Sequence, residues 1–335
     1  MENYNINSNH QLSSMLRNME NIHTIIQSPI DNHNNEQNKG SFKILDIGSS
    51  HGRNSIIFLN SILSKIKPQI NDGTIEVYHC DLEINDFSKL FLEINKNENS
   101  YKNKWNKTFC YAIGNTYKNQ LMSDGSCDII FSYHCFHWCS YEDTLLSGAD
   151  TLVRIKESSL CPKVKEFNID HLSTILSHRN NELKKGGIFI CNLLIFEKEN
   201  EITYSIESTF TNIKNILREM ANENKLSHRE VDNIFVPFTF FKKDEVDIVV
   251  KEVGSRGLKL IHSEKTYETW EQNEKFVDSV LSIISHSIKR PLEGDEEKIN
   301  SIFEEFIKRF KISYKLNPEL YCLYMCFKLL IFKKE

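Results

Sequence analysis

Phe42-Lys43-Ile44-Leu45-Asp46-Ile47 leads into Gly48-Ser49-Ser50-His51-Gly52-Arg53-Asn54-Ser55, and an apolar stretch from Ile56 to Ile66 follows. The first run reads as a β-strand, the small residues as a turn, and the third segment as a helix. That arrangement offers backbone N–H groups to a ligand beyond the end of a parallel strand. Further strands are predicted at 75–79 ending on Asp81, at 109–113, 127–131 and 187–194. Apolar residues three and four apart predict helices at 86–92, 143–155 and 170–183. Strands alternating with helices predict an α/β fold with an open parallel sheet covered on both faces.

The sheet is expected to close with 257–262 and 321–332. The last run, YCLYMCFKLLIF, is rich in β-formers and reads as a central strand buried on both faces. Two helical stretches, 202–233 and 267–314, break the strand–helix rhythm. They are expected to cap the carboxyl edge of the sheet, where α/β proteins bind ligands. The expected division is an arm and core over 1–200, a first cap segment over 201–235 and a core continuation over 236–266. A second cap segment over 267–314 and a final core strand over 315–335 complete it. The Asn/Lys-rich segment 95–107 reads as a solvated loop.

With 335 residues, a net charge of −5, 26% charged and 40% apolar residues, the balance is that of an ordinary soluble globular protein. No polybasic surface for nucleic acid is indicated. The nine cysteines form no dense secreted framework, and the pair Cys135 and Cys139 has no matching second pair of zinc-ligand spacing, so no metal is expected. The opening residues are too polar for a signal peptide, and no apolar run approaches the roughly 18 residues that span a bilayer. A cytoplasmic chain without a membrane partner is expected.

The loop reads Asp46-x-Gly48-x-Ser50-x-Gly52, and Asp81 closes the next strand. Small residues let a nucleotide cofactor approach the backbone, and a strand-terminal carboxylate can accept hydrogen bonds from both ribose hydroxyls. A P-loop needs a Lys-Ser/Thr pair that Gly52-Arg53-Asn54-Ser55 lacks. A dinucleotide pyrophosphate would face Asp46 badly. An acid there suits the cationic amino and sulfonium end of S-adenosyl-L-methionine. Asp81 as a simple cap and Leu82 as generic core are the plainer alternatives.

Several separated motifs then converge. YNINSNHQ over 4–11, LDIGSSHGRNS over 45–55 and CDLEINDFSKLF over 80–91 resemble, in order and spacing, signatures of the SABATH family of small-molecule carboxyl and N-methyltransferases. So do the run ending FSYHCFHWCS at 140 and FNIDHLSTILSHRNNELKKGGIF over 167–189. Cys80, Ser88, Asn115 and Thr116 depart from the family pattern, and 141–166 lacks its Asn-Lys-Gly segment. The resemblance implies a class I methyltransferase Rossmann-like sheet with a helical substrate-binding cap, S-adenosyl-L-methionine as cofactor, and a homodimer.

By that resemblance, Tyr4, Ser8, Asp46, Gly48, Ser50 and Asn54 surround the methionine portion and loop wall. Asp81 takes the ribose hydroxyls, Leu82 lies against adenine, and Asn115 and Thr116 stand beside it. Gln11 and Trp138 are the catalytic pair, each donating a hydrogen bond to the acceptor carboxylate. His137 has a packing or an acid–base role. His134 stands where the family has a tyrosine and binds substrate, unless a one-residue shift restores Tyr133. His51 and His79 read as structural or solvated residues at loop or strand edges, and Arg179 with Glu182 as a surface ion pair. Phe131 and Phe136 read as core. The implied activity is O-methylation of a small aromatic or lipophilic carboxylic acid to its ester. N-methylation of a heterocycle and noncatalytic cofactor binding are the rivals.

Overall fold

In the computed structural model of the chain the described residues are 9–36, 40–70, 73–139, 152–153, 162–196 and 202–335. Side chains are described from residue 12 onward, except at 163, 202–205 and 207. Five strands run parallel: β1 (Phe42–Ile47), β2 (Ile75–Asp81), β3 (Thr108–Gly114), β4 (Cys127–Ser132) and β5 (Leu183–Ile195). With β6 (Leu258–Thr269) and β7 (Tyr324–Lys334) they form one sheet in the order β3-β2-β1-β4-β5-β7-β6. β1 and β4 are almost wholly buried, as central parallel strands are when helices cover both sides.

The expectation of a parallel sheet needs one correction. β7 is antiparallel to both β5 and β6. β6 ends on the carboxyl side of the sheet, and the chain then forms the two cap helices at Phe276–Lys289 and Glu296–Leu316. From there it can enter the gap between β5 and β6 only by running back down. An apolar run fits either direction, so composition alone does not carry this information.

On one face lie α1 (Asn9–Leu16), α2 (Met19–Ile25), α3 (Gln27–Asn35) and α4 (Arg53–Ile66). Ile56, Leu59, Ile62, Leu63 and Ile66 recur at three- and four-residue spacing and are fully buried on the sheet. α5 (Phe87–Lys96) and α6 (Tyr101–Lys104) follow β2. The segment 95–107 is therefore not merely a solvated loop: Tyr101 is fully buried against that face. The opposite face is covered by α7 (Pro162–Glu182), with Leu172, Ile175 and Leu176, and by the later helix Lys243–Ser255.

The cap consists of α8 (Ile202–Asn222), α9 (His228–Asn233), α11 (Phe276–Lys289) and α12 (Glu296–Leu316). α10 (Lys243–Ser255) packs on the sheet through Val246, Val249 and Val253. Ser227 and Glu230 form a capping box at the start of α9, and Asp295 caps α12 by accepting the Lys298 N–H at 2.9 Å. Ile302, Phe303, Phe306 and Phe310 turn one stripe of α12 into a separate apolar cluster. That cluster reaches Leu194 at the carboxyl end of β5 and Phe327 at the amino end of β7. β6 continues to Thr269, past the expected boundary at 266. The helix expected at 143–155 lies outside the described residues except for 152 and 153. No helix among the described residues is long and apolar enough to cross a membrane.

Candidate active site

A cavity opens beyond the carboxyl ends of β1 and β4, where the strand order reverses on either side of β1. Asp46, Gly48, Ser49, Ser50, Arg53 and Asn54 line one side, and Met15, Tyr133 and His134 the other. The loop is wound tightly: Gly48, Ser50 and Gly52 all have positive φ, at 85°, 47° and 88°. Gly48 is required here, since an added Cβ would lie 2.9 Å from the Cβ and Sγ of Cys135. The Ser50 N–H donates to Asp81 Oδ2 at 2.7 Å, and the Leu82 N–H donates to Asp81 Oδ1 at 2.9 Å. Burial pushes the Asp81 carboxyl above its ordinary range, and these two N–H groups offset only part of that rise. Each carboxylate oxygen keeps a further lone pair for a ligand.

Beside Asp81, the Asn115 N–H donates to the Asp81 carbonyl at 2.9 Å, and the Asn115 side chain accepts from the Thr116 N–H at 2.8 Å. Leu82 is 46% exposed, which excludes the generic core reading and leaves a free apolar surface next to the carboxylate. Asp46, by contrast, is only 3% exposed and is held by His79 Nδ1 at 2.8 Å from its Oδ2. His79 is not at a strand edge; it is fully buried within β2.

A polar ligand fits this cavity. The hydroxyls of Ser49, Ser50 and Tyr133 all belong to residues that line it, and all three oxygens are buried without a partner among the described residues. Leaving a buried hydroxyl unpaired costs about 1–3 kcal/mol. Three such groups around a backbone cradle, with carboxylates at Asp46 and Asp81, match the amino-acid and ribose portions of S-adenosylmethionine.

The second wall comes from the turn after β4. His134 has φ 54°, and its N–H donates to Asn192 Oδ1 at 2.6 Å. The Asn192 amide then donates to His134 Nε2 at 3.3 Å, so the neutral ring carries its proton on Nδ1. The His134 ring meets Phe327 edge-on at 4.5 Å. His137 packs among Trp138, Phe238 and Phe327, and burial lowers both histidines to about 3. The His137 ring thus lies inside an aromatic cluster.

Trp138 is pinned through its backbone. Its N–H donates to the Cys135 carbonyl at 3.0 Å, and it bridges to Phe238. The flanking Cys139 N–H donates to the Pro237 carbonyl, and the Thr239 N–H to the His137 carbonyl, both at 2.8 Å. The Tyr117 hydroxyl donates to the Trp138 carbonyl. The indole meets the Phe238 ring edge-on at 4.5 Å.

A profile described as "SAM dependent carboxyl methyltransferase" matches residues 1–326. The chain belongs to this SABATH family of carboxyl methyltransferases. The family uses S-adenosylmethionine, and the methyltransferase fold agrees with the sheet above. A benzoic acid/salicylic acid carboxyl methyltransferase of Petunia hybrida is 20% identical over 279 residues, 78% of each chain. A salicylate/benzoate carboxyl methyltransferase of Arabidopsis thaliana is 25% identical over 229 residues, 64% of this chain and 59% of that one. A 7-methylxanthine methyltransferase of Coffea canephora is 22% identical over 237 residues, 64% of this chain and 61% of that one. The solved structure of a loganic acid methyltransferase with S-adenosylhomocysteine superposes with a TM-score of 0.73 at 14% identity, covering 99% of this chain and 96% of that one.

Within this methyltransferase, Asp46, Gly48, Ser50, Asn54 and His134 come together around one cavity, and Asp81, Leu82, Asn115 and Thr116 gather beside it. Tyr4 and Ser8 lie outside the described residues, and the Gln11 side chain does too. Position 11 lies on α1 one helical turn before Met15, which lines the cavity. Tyr133 and His134 both line it. Tyr133 reaches toward Phe58 at 5.4 Å, and His134 toward the aromatic wall.

Sequence reading missed Met15, Asn192 and Glu268. Of these, only Met15 carries a usable signal, its helical spacing from Gln11. Glu268, on β6, is 5% exposed, with Oε1 3.7 Å from His134 Nε2. Burial raises it to about 7, opposed by the Ser14 hydroxyl and the Arg17 charge. Between about pH 3 and 7 the two side chains are therefore both neutral, and their proximity is not an ion pair.

A glutamate whose folded pKa lies above its unfolded value stabilises the fold fully below about 4.5, and loses that contribution as pH rises through about 7. At about 1.36 kcal/mol per pH unit, this span is worth about 3 kcal/mol. Glu268→Gln is expected to raise the melting temperature at pH 8 and to leave it unchanged or lower at pH 4.5. Equal shifts at both pH values in thermal melts would refute this.

Proposed function

We propose that this methyltransferase converts a small aromatic or lipophilic carboxylic acid to its methyl ester. What carries the reading is the pinned Trp138, set in a wall of neutral rings formed by His134, His137, Phe238 and Phe327. S-adenosylmethionine supplies an activated methyl group on a sulfonium. A carboxylate is already ionised near neutral pH, so the protein needs no base and no metal of its own for this step. Its work is alignment and exclusion of water.

In this reading Asp46 faces the ammonium of the methionine portion, and Tyr4, Ser8, Gly48, Ser50 and Asn54 enclose that portion. Asp81 accepts from the ribose hydroxyls. Leu82 lies against the adenine with Asn115 and Thr116 at its edge. Gln11 and Trp138 donate to the acceptor carboxylate and hold one oxygen in line with the methyl group, and His134 adds a neutral Nδ1–H on the same side. His137 supports Trp138 by packing.

A second reading, N-methylation of a planar heterocycle, is favoured by the similarity to the Coffea canephora methylxanthine enzyme. Isotopically labelled S-adenosylmethionine incubated with a panel of small carboxylic acids, their matched amides and N-heterocycles separates the two. Ester masses from free acids alone support the carboxyl reading. Product from nitrogen acceptors alone replaces it with the second, and no transfer to any acceptor in the panel contradicts both.

A further inference from the structure

Asp46 and His79 stand opposite each other in the register of β1 and β2. Beyond the contact of His79 Nδ1 with Asp46 Oδ2, His79 Nε2 lies 2.7 Å from the Tyr101 hydroxyl on α6. His79 and Tyr101 are both fully buried, and of the three only Asp46 lines the cavity. A histidine inside a parallel strand is expensive to bury unless both ring nitrogens are bonded, and here both are.

The direction of the bonds follows from the groups available. Burial holds the Tyr101 hydroxyl well above its ordinary range, so it stays protonated and can donate to Nε2. A carboxylate oxygen can only accept, so the ring donates its Nδ1–H to Asp46 Oδ2. With Oδ2 engaged inside the protein, the carboxylate plane is fixed, and Oδ1 is the oxygen left for a ligand in the cavity. We propose that His79, backed by Tyr101, is a positioning residue for the cofactor: it turns the Asp46 carboxylate so that Oδ1 receives the ammonium group of the methionine portion. This rests on the assignment of Asp46 to that ammonium made under Proposed function.

A residue that merely satisfies a buried charge would affect all cofactor-like ligands alike. A positioning residue affects only those that carry the amino-acid part. Titration calorimetry with S-adenosylhomocysteine and with 5′-methylthioadenosine, which shares the adenosine and sulfur but lacks the amino acid, makes that distinction without turnover. Asp46→Asn and His79→Leu are expected to weaken S-adenosylhomocysteine binding about tenfold or more and 5′-methylthioadenosine binding less than about twofold. His79→Asn, whose amide N–H can take the place of Nδ1–H, is expected to recover most of the loss. Tyr101→Phe, which removes one hydroxyl, is expected to show the same selectivity at about threefold.

If Asp46→Asn is selective and the His79 and Tyr101 variants are not, the positioning role is overturned and the reading of Asp46 stands. A nonselective Asp46→Asn overturns both. Should His79→Leu fail to fold, Tyr101→Phe and His79→Asn decide: a selective loss in the first with recovery in the second supports the role, and its absence overturns it.

Discussion

Replacing Arg179 by alanine is expected to destabilise the fold by about 3–5 kcal/mol, the usual consequence of leaving a buried charge without its partner. Arg179 and Glu182 on α7 are both fully buried, which corrects their reading as a surface ion pair. The guanidinium donates to both carboxylate oxygens, at 2.6 and 2.8 Å, and to the carbonyls of Tyr117 and Asn119 at 3.1 and 2.9 Å. Glu182 in turn accepts from the N–H groups of Leu121 and Met122. Arg179→Ala strips the charge from one end and leaves a carboxylate in the interior facing backbone donors alone. Against a total stability of about 5–15 kcal/mol, such a loss unfolds much of the population at moderate temperature.

The pair also anchors the segment that carries Asn115 and Thr116, and Tyr117 on that segment holds the Trp138 carbonyl. The surviving folded fraction should therefore show poorer acceptor positioning. Arg179→Met combined with Glu182→Gln removes both charges and should recover part of the loss, since a neutral pair needs no compensation. Thermal melts check this; a melting temperature of Arg179→Ala within a degree or so of the parent would show that the buried network contributes little. The exposed pair Lys243–Asp247 supplies the contrast, at 75% and 53% exposure. Asp247→Asn should change stability by less than about 1 kcal/mol.

The same pair shows where sequence reading stops. Arg and Glu three apart on a helix look alike whether water or a folded-back loop covers them, and only the course of 115–122 over that face of α7 decides. The loop around Gly48 was legible because its determinants are local: a mainly apolar strand, a run of small residues, and a helix start. Asp81 was legible for the same reason, as the polar end of an apolar run. The bond between Asp46 and His79 was not, because it depends on a parallel register between strands separated by α4. β7 could be read as a strand but not as an antiparallel one, since direction is set by where the cap leaves the chain. Glu268 was hidden in the alternating pattern of β6, and its burial against α1 and His134 is tertiary.

The largest effect on activity is expected at Trp138. Its backbone is tied by the Cys135 carbonyl and the Tyr117 hydroxyl, and the residues on either side are tied to 237–239. Truncation should therefore leave the turn in place and remove only the indole. Trp138→Phe keeps an aromatic ring against Phe238 but loses the N–H. A hydrogen bond to a charged group is worth about 1.5–3 kcal/mol, so kcat/KM for the acceptor acid should fall about 10- to 100-fold. Trp138→Ala also loses the edge-on contact with Phe238 and admits water beside the reacting oxygen, and should bring the total to about 1000-fold. S-adenosylhomocysteine binding should stay within about twofold of the parent in both variants, because no cofactor contact is assigned to the indole. If cofactor affinity falls in step with turnover, Trp138 supports the cavity as a whole. If turnover survives Trp138→Ala, the acceptor carboxylate is held elsewhere and the assignment of this wall to the acid must be abandoned. A selective loss that is already about 10-fold or more in Trp138→Phe, where the ring against Phe238 is kept and only the N–H is gone, is the pattern expected of a donor to the acceptor.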